Sequence, residues 1–143
     1  MIVKNKKSYS RTDETRVSEL LAKRDLHEVL ADIKGPEFME YRRKWDAAQR
    51  YEIELDYPLH VDLEIIFACN LRCPMCIISL PKEELATWGD QKTKMTLETA
   101  KRIIDEGVRN GQASLGLNGT NEPLMIPYLV EMIEYAHNQG IID

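Results

Sequence analysis

The chain has 143 residues, a net charge of −5, and 43% hydrophobic against 30% charged residues. That is length for about one domain with enough apolar material to build a core, which excludes wholesale disorder. The acidic balance argues against a nucleic-acid partner, and no apolar run approaches the roughly 18 residues of a membrane span.

Residues 1–16 are polar and lack the apolar stretch of a secretory signal, so a cytoplasmic address is expected. Residues 1–12 are expected to fray. From residue 15 to 33 the apolar positions Val17, Leu20, Leu21, Ala22, Leu26, Val29, Leu30 and Ile33 follow a helical period. Gly35 stops that helix and Pro36 opens a second one, running to about residue 50 with Phe38, Tyr41, Trp45 and Ala48 along one face. Arg42, Arg43 and Lys44 point in different directions around such a helix and read as solvated surface.

The period then changes to two. Every odd position from Tyr51 to Phe67 is apolar or aromatic, but the run is too long for one ordinary strand. Pro58 donates nothing to a ladder and is expected to divide it into a lead-in and a strand over residues 61–67. After a cysteine-bearing segment and a polar, irregular stretch over 81–94, Thr96 is a candidate N-cap for a helix over 97–110, with Ala100, Ile103, Ile104 and Val108 inward and Gly111 as its stop. Residues 113–117 read as a short buried strand. A turn over 118–123 leads to a helix over 127–139, closed by Gly140, and residues 141–143 read as the beginning of a third strand. Alternating strands and helices predict a parallel α/β unit with right-handed crossovers. Two strand–helix units leave a parallel edge open, so either the chain is part of a longer protein, the favoured reading, or another chain covers that edge.

The three cysteines, Cys69, Cys73 and Cys76, all lie in Ala68-Cys69-Asn70-Leu71-Arg72-Cys73-Pro74-Met75-Cys76. An odd, clustered set is not a disulfide framework. Three readings compete. A buried helix face is disfavoured by Pro74 and Asn70. Structural zinc wants four ligands, usually in two knuckles, and His27, His60 and His137 are scattered without ligand spacing. An iron–sulfur cluster takes thiolates from just such a loop. Three cysteines would leave one iron open to a small molecule, as a catalytic zinc keeps one position free.

The C-x3-C-x2-C spacing, within Cys-Asn-Leu-Arg-Cys-Pro-Met-Cys at a strand's end, resembles the signature of radical S-adenosylmethionine (radical SAM) enzymes. Its Cys-Asn-Leu-x-Cys-x-Met-Cys form is similar to the branch carrying SPASM or twitch extensions. Asn118-Gly119-Thr120-Asn121-Glu122-Pro123-Leu124 resembles that family's Gly-Gly-Glu-Pro-Leu segment, with Asn121 where the family has glycine and Met75 where many members have an aromatic. Asn tolerates positive φ better than most residues, so the turn is expected to survive.

The resemblance covers residues 61–143 and implies an incomplete (β/α)6 partial TIM-type barrel, here its first two strand–helix units, behind a helical N-terminal extension over 1–60. It implies that Cys69, Cys73 and Cys76 hold a [4Fe-4S] cluster and that S-adenosyl-L-methionine chelates the fourth iron. Gly119, Thr120, Asn121 and Glu122 would meet its amino group, and the backbone near Met75 would lie beside adenine. An external one-electron reductant would then start cleavage to a 5′-deoxyadenosyl radical, with an unknown peptide, sugar or small molecule as substrate. Glu122 also has a plainer role open to it, capping the next helix; Trp88 is expected to pack as part of a flap, and Arg72 to pair with a nearby acid. The rival readings are a non-enzymatic iron–sulfur or zinc module and a truncated, inactive chain.

Overall fold

Asp25 opens the first helix of a computed structural model that describes residues 25–89 and 93–143. The expected helical residues Val17, Leu20, Leu21 and Ala22, and the frayed start, lie outside the described residues. Two units divide the chain between Arg43 and Lys44.

In the first unit, the Asp25 carboxylate accepts from the His27 backbone N–H at 2.8 Å and caps α1, Leu26–Lys34. Gly35, at φ 93°, ends it, and α2, Pro36–Gln49, begins at once with proline in its first turn, where the missing donor costs nothing. Phe38 and Tyr41 are buried and stack obliquely, their ring centroids 6.0 Å apart. Lys34 places its ammonium 5.0 Å from the Phe38 ring centre.

The second unit starts inside α2. That helix closes on Tyr51, whose φ of 56° is left-handed; the Tyr51 N–H donates to Ala48 and the Glu52 N–H to Ala47. This is the two-bond closure that glycine usually makes. The alternating residues that follow form no strand: side chains 51–56 are all exposed, and Leu59 is the first buried one. Alternation specifies faces only where a neighbouring strand exists to pair with, and among the described residues none pairs there.

Strand β1, His60–Asp62, pairs in parallel with β2, Ser114–Gly116, in the register His60 to Ser114 and Asp62 to Gly116. One further ladder bond, Leu63 N–H to Gly116 O, extends the pairing. The strand expected over 61–67 is therefore shorter. Beyond Leu63 the chain pairs elsewhere: Met95 donates to Ile65 and Phe67 to Thr93, with Ile66 opposite Lys94 in an antiparallel bridge. On the far side of β2, Asp143 N–H donates to Ala113 O and Leu115 N–H to Asp143 O, the two bonds of a parallel pairing around Asp143.

Crossover helix α4, Leu97–Arg109, starts at Thr96, whose hydroxyl accepts from the Thr99 N–H at 3.2 Å. A short helix, α3, Lys82–Leu85, precedes it. Residues 123–125 form one 3₁₀ turn before α5, Leu129–Gln139, which begins two residues later than the pattern suggests. Gly140, at φ 107°, closes α5, with Ile141 N–H returning to Ala136 O. Leu63, Ile65, Ala100, Ile104, Leu129, Met132 and Ala136 form the core between strands and helices. Tyr135 donates to Asp105 at 2.6 Å and Lys101 to Glu131 at 2.9 Å across α4 and α5, and the Tyr128 hydroxyl donates to the Met95 carbonyl. No helix among the described residues is long and apolar enough to cross a membrane.

Candidate cofactor site

The cysteine segment is a loop, as Pro74 and Asn70 require. Cys76 N–H donates to Cys73 O at 3.0 Å, closing a turn with Pro74 and Met75 at its centre; proline presets φ for the first of those positions. The Ser79 hydroxyl also donates to Cys73 O, at 2.9 Å. Arg72 folds back on its own loop, its guanidinium donating to the carbonyls of Cys69 and Leu71 at 3.1 and 2.9 Å, where an acidic partner was expected. The thiols are free; Cys73 is exposed and the other two half-buried. Met75, at the loop's tip, is 88% exposed.

Three soft thiol donors on one irregular, accessible loop fit an iron–sulfur cluster by chemistry. The Leu71 N–H donates to Cys69 Sγ at 3.3 Å, a contact of the kind that orients a sulfur. Among the described residues, no three His, Cys, Asp or Glu side chains converge as a preformed metal group. The three thiols are therefore close in sequence without being gathered into a preformed metal group.

The second motif meets this loop through the backbone. Glu122 N–H donates to Ala68 O at 3.2 Å, immediately before Cys69. Parallel pairing puts both strands' C-terminal ends on the same side, which is why segments far apart in sequence adjoin.

A residue the sequence does not single out secures the junction. The Glu64 carboxylate accepts from the Thr120 N–H at 2.8 Å and from its hydroxyl at 2.5 Å. These bonds, the hydroxyl first, hold the Glu64 carboxyl below its ordinary pKa despite some desolvation. Gly119 allows the approach, since a Cβ there would sit 2.5 Å from a Glu64 oxygen and 3.0 Å from its Cγ. A cleft of about 240 Å³, lined by Glu64, Ile65, Phe67, Thr93, Lys94 and Met95, borders this strand end.

The remaining expected residues fall as follows. Glu122 is the cap of the 3₁₀ turn, its carboxylate accepting from Leu124 N–H at 3.0 Å. Asn121 does not use the positive φ allowed for it: among the described non-glycine residues only Tyr51 does. Instead both polar atoms of its side chain are buried with no partner. Trp88 is 66% exposed, while Leu85 is buried and a Cβ at Gly89 would lie 3.3 Å from the Phe67 ring. His60, at the strands' other end, is hydrogen-bonded to Ser114 at 2.8 Å and Asp62 at 3.1 Å, an ordinary structural histidine.

Over part of its length the chain is similar to radical SAM enzymes. Among its relatives is mycofactocin maturase MftC of Mycobacterium tuberculosis, in strains CDC 1551 / Oshkosh and ATCC 25618 / H37Rv, 32% identical over 95 residues that cover 65% of this chain and 22% of the relative. Mycofactocin maturase MftC of Mycobacterium ulcerans (strain Agy99) is 30% identical over 95 residues, covering 65% of this chain and 24% of the relative. The matched stretch thus spans less than a quarter of these relatives' length. No protein-family profile and no solved structure matches the chain.

Proposed function

We propose that this chain is the cofactor-holding portion of a radical SAM enzyme, its two strand–helix units opening a partial (β/α)6 barrel over residues 61–143 behind an extension over 1–60. The observation that carries the reading is the hydrogen bond from Glu122 to Ala68, which unites the three-thiol loop and the 119–122 turn. When bound, a [4Fe-4S] cluster with S-adenosylmethionine would supply radical hydrogen-abstraction chemistry, drawing one electron from an external reductant.

The chain's own contribution is to bind and orient. Cys69, Cys73 and Cys76 ligate three irons, and Leu71 N–H steadies one of the sulfurs. Carbonyls of Gly119, Thr120 and Asn121 receive the cofactor's ammonium, while Glu122 lends negative charge nearby as it caps its turn. The exposed Met75 backbone flanks adenine, with the side chain free to close over it. The relatives are maturases of mycofactocin, and by that likeness maturation of a mycofactocin-type product is favoured over sugar or unrelated small-molecule chemistry.

Anoxic reconstitution of the full chain with iron and sulfide tests the reading. The expected result is a brown protein with about four irons per chain, whose reduced electron paramagnetic resonance (EPR) signal shifts on adding S-adenosylmethionine. Cys73→Ala is expected to lose the colour and most of the iron while keeping its far-ultraviolet circular dichroism. Folded protein that stays colourless overturns the reading. A cluster indifferent to the nucleotide favours the electron-transfer or structural module instead.

A further inference from the structure

Two of the three thiol-bearing residues are tied together by the backbone, and the third is not. The Cys76 N–H donates to the Cys73 carbonyl at 3.0 Å, closing a four-residue turn over Pro74 and Met75. Such a turn holds its end Cα atoms within about 7 Å, and a disulfide spans roughly 4.4–6.8 Å between Cα atoms. The Ser79 hydroxyl donates to the same carbonyl at 2.9 Å, so the turn is braced from outside as well. No backbone hydrogen bond joins Cys69 to either residue among the described ones; its sulfur takes the Leu71 N–H instead. Cys73 is exposed and Cys76 half-buried. An accessible thiol with a second one beside it is the arrangement of a redox-responsive pair.

We infer that Cys73 and Cys76 close a reversible disulfide in the metal-free chain, leaving Cys69 as a thiol. The oxidant is a small disulfide such as glutathione disulfide. The accessible Cys73 sulfur attacks one glutathione sulfur; the glutathione S–S bond breaks and one glutathione leaves. Cys76 then attacks the Cys73 sulfur and releases the second glutathione. Two cysteine thiols are oxidised to one bridge, one glutathione disulfide is reduced, and the two thiol protons end on the two glutathiones. A bridge across so short and exposed a turn removes little chain entropy, which makes it the reducible kind. It also withholds two of the three candidate ligands, so bridge and cluster exclude one another, a consequence that rests on the function proposed above.

The test treats the metal-free full chain, without oxygen, with glutathione disulfide, traps remaining thiols with iodoacetamide and maps them by mass spectrometry. The expected product carries one alkyl group, on Cys69, where the reduced chain carries three, and its bridged peptide is two hydrogens lighter. Dithiothreitol is expected to restore all three alkylation sites. Cys69→Ser is expected to close the bridge as fully as wild type, and Cys76→Ser to stop at a glutathione adduct on Cys73. A wild-type bridge that includes Cys69 overturns the inference, as do glutathione adducts with no internal bond. Reconstituted protein, freed of excess iron and sulfide, is expected to resist the same treatment; a bridge that forms while the iron stays bound overturns the exclusion. A reduced chain that never takes a cluster overturns the proposed function and leaves the bridge standing.

Discussion

Glu64 shows how one carboxylate turns a strand end into a fixed frame. Its carboxyl titrates below its ordinary value because the folded state offers the charged form two donors from Thr120. A depressed folded pKa means that the stabilisation is fully present above the unfolded value, near 4.3, and is lost as pH falls through the lower folded one. The group is largely exposed, so the contribution is modest, about 1 kcal/mol or less. Glu64→Gln is therefore expected to lower the melting temperature slightly at pH 7 and to flatten the acid side of the stability profile between about pH 5 and 3; thermal melts across that range check it. Nothing in the sequence marks Glu64, which occupies an ordinary polar slot in an alternating run with its partner 56 residues away. The cysteines are the opposite case. Their spacing and Pro74 made the loop legible, because both are local.

At the scale of elements, local chemistry was again what could be read. Thr96 caps α4, and glycines close α1 and α5 where the sequence put them. The end of α2 was less legible, since Tyr51 takes a left-handed conformation with no glycine to announce it. A non-glycine residue in that region carries a cost of about 1 kcal/mol, and Tyr51, 95% exposed, gains no packing in return. Tyr51→Gly is expected to stabilise the protein by up to about 1 kcal/mol, measured by urea denaturation; unchanged or lower stability would show that the left-handed conformation is not strained. The strands were misjudged in length for a different reason. Hydrophobic alternation says which residues suit a sheet but not how far a neighbour runs alongside, and β2 leaves β1 just beyond Gly116.

Across the whole molecule, the second unit gathers its apolar side chains under the strand pair from both sequence-distant helices. Ile104 and Met132, on α4 and α5, are fully buried in that core. Ile104→Ala is expected to cost about 2–5 kcal/mol in denaturant unfolding, since it leaves a cavity that two packed helices close only in part. Periodicity foretold the inward face of α4, where Ala100 and Ile104 are buried, and named none for α5. The junction between the two loops was foretold only as motif order, because parallel register is set by pairing between segments that the sequence lists separately.

That junction has two anchor points along the segment that follows β1, Thr120 on Glu64 and Glu122 on Ala68. A single anchor fixes a separation and leaves a hinge; two fix an orientation as well. The cysteine-bearing lip and the facing turn are consequently held at a common tilt, so that under the proposed function a ligand spanning both would meet one pre-aligned seat rather than two independently wandering halves.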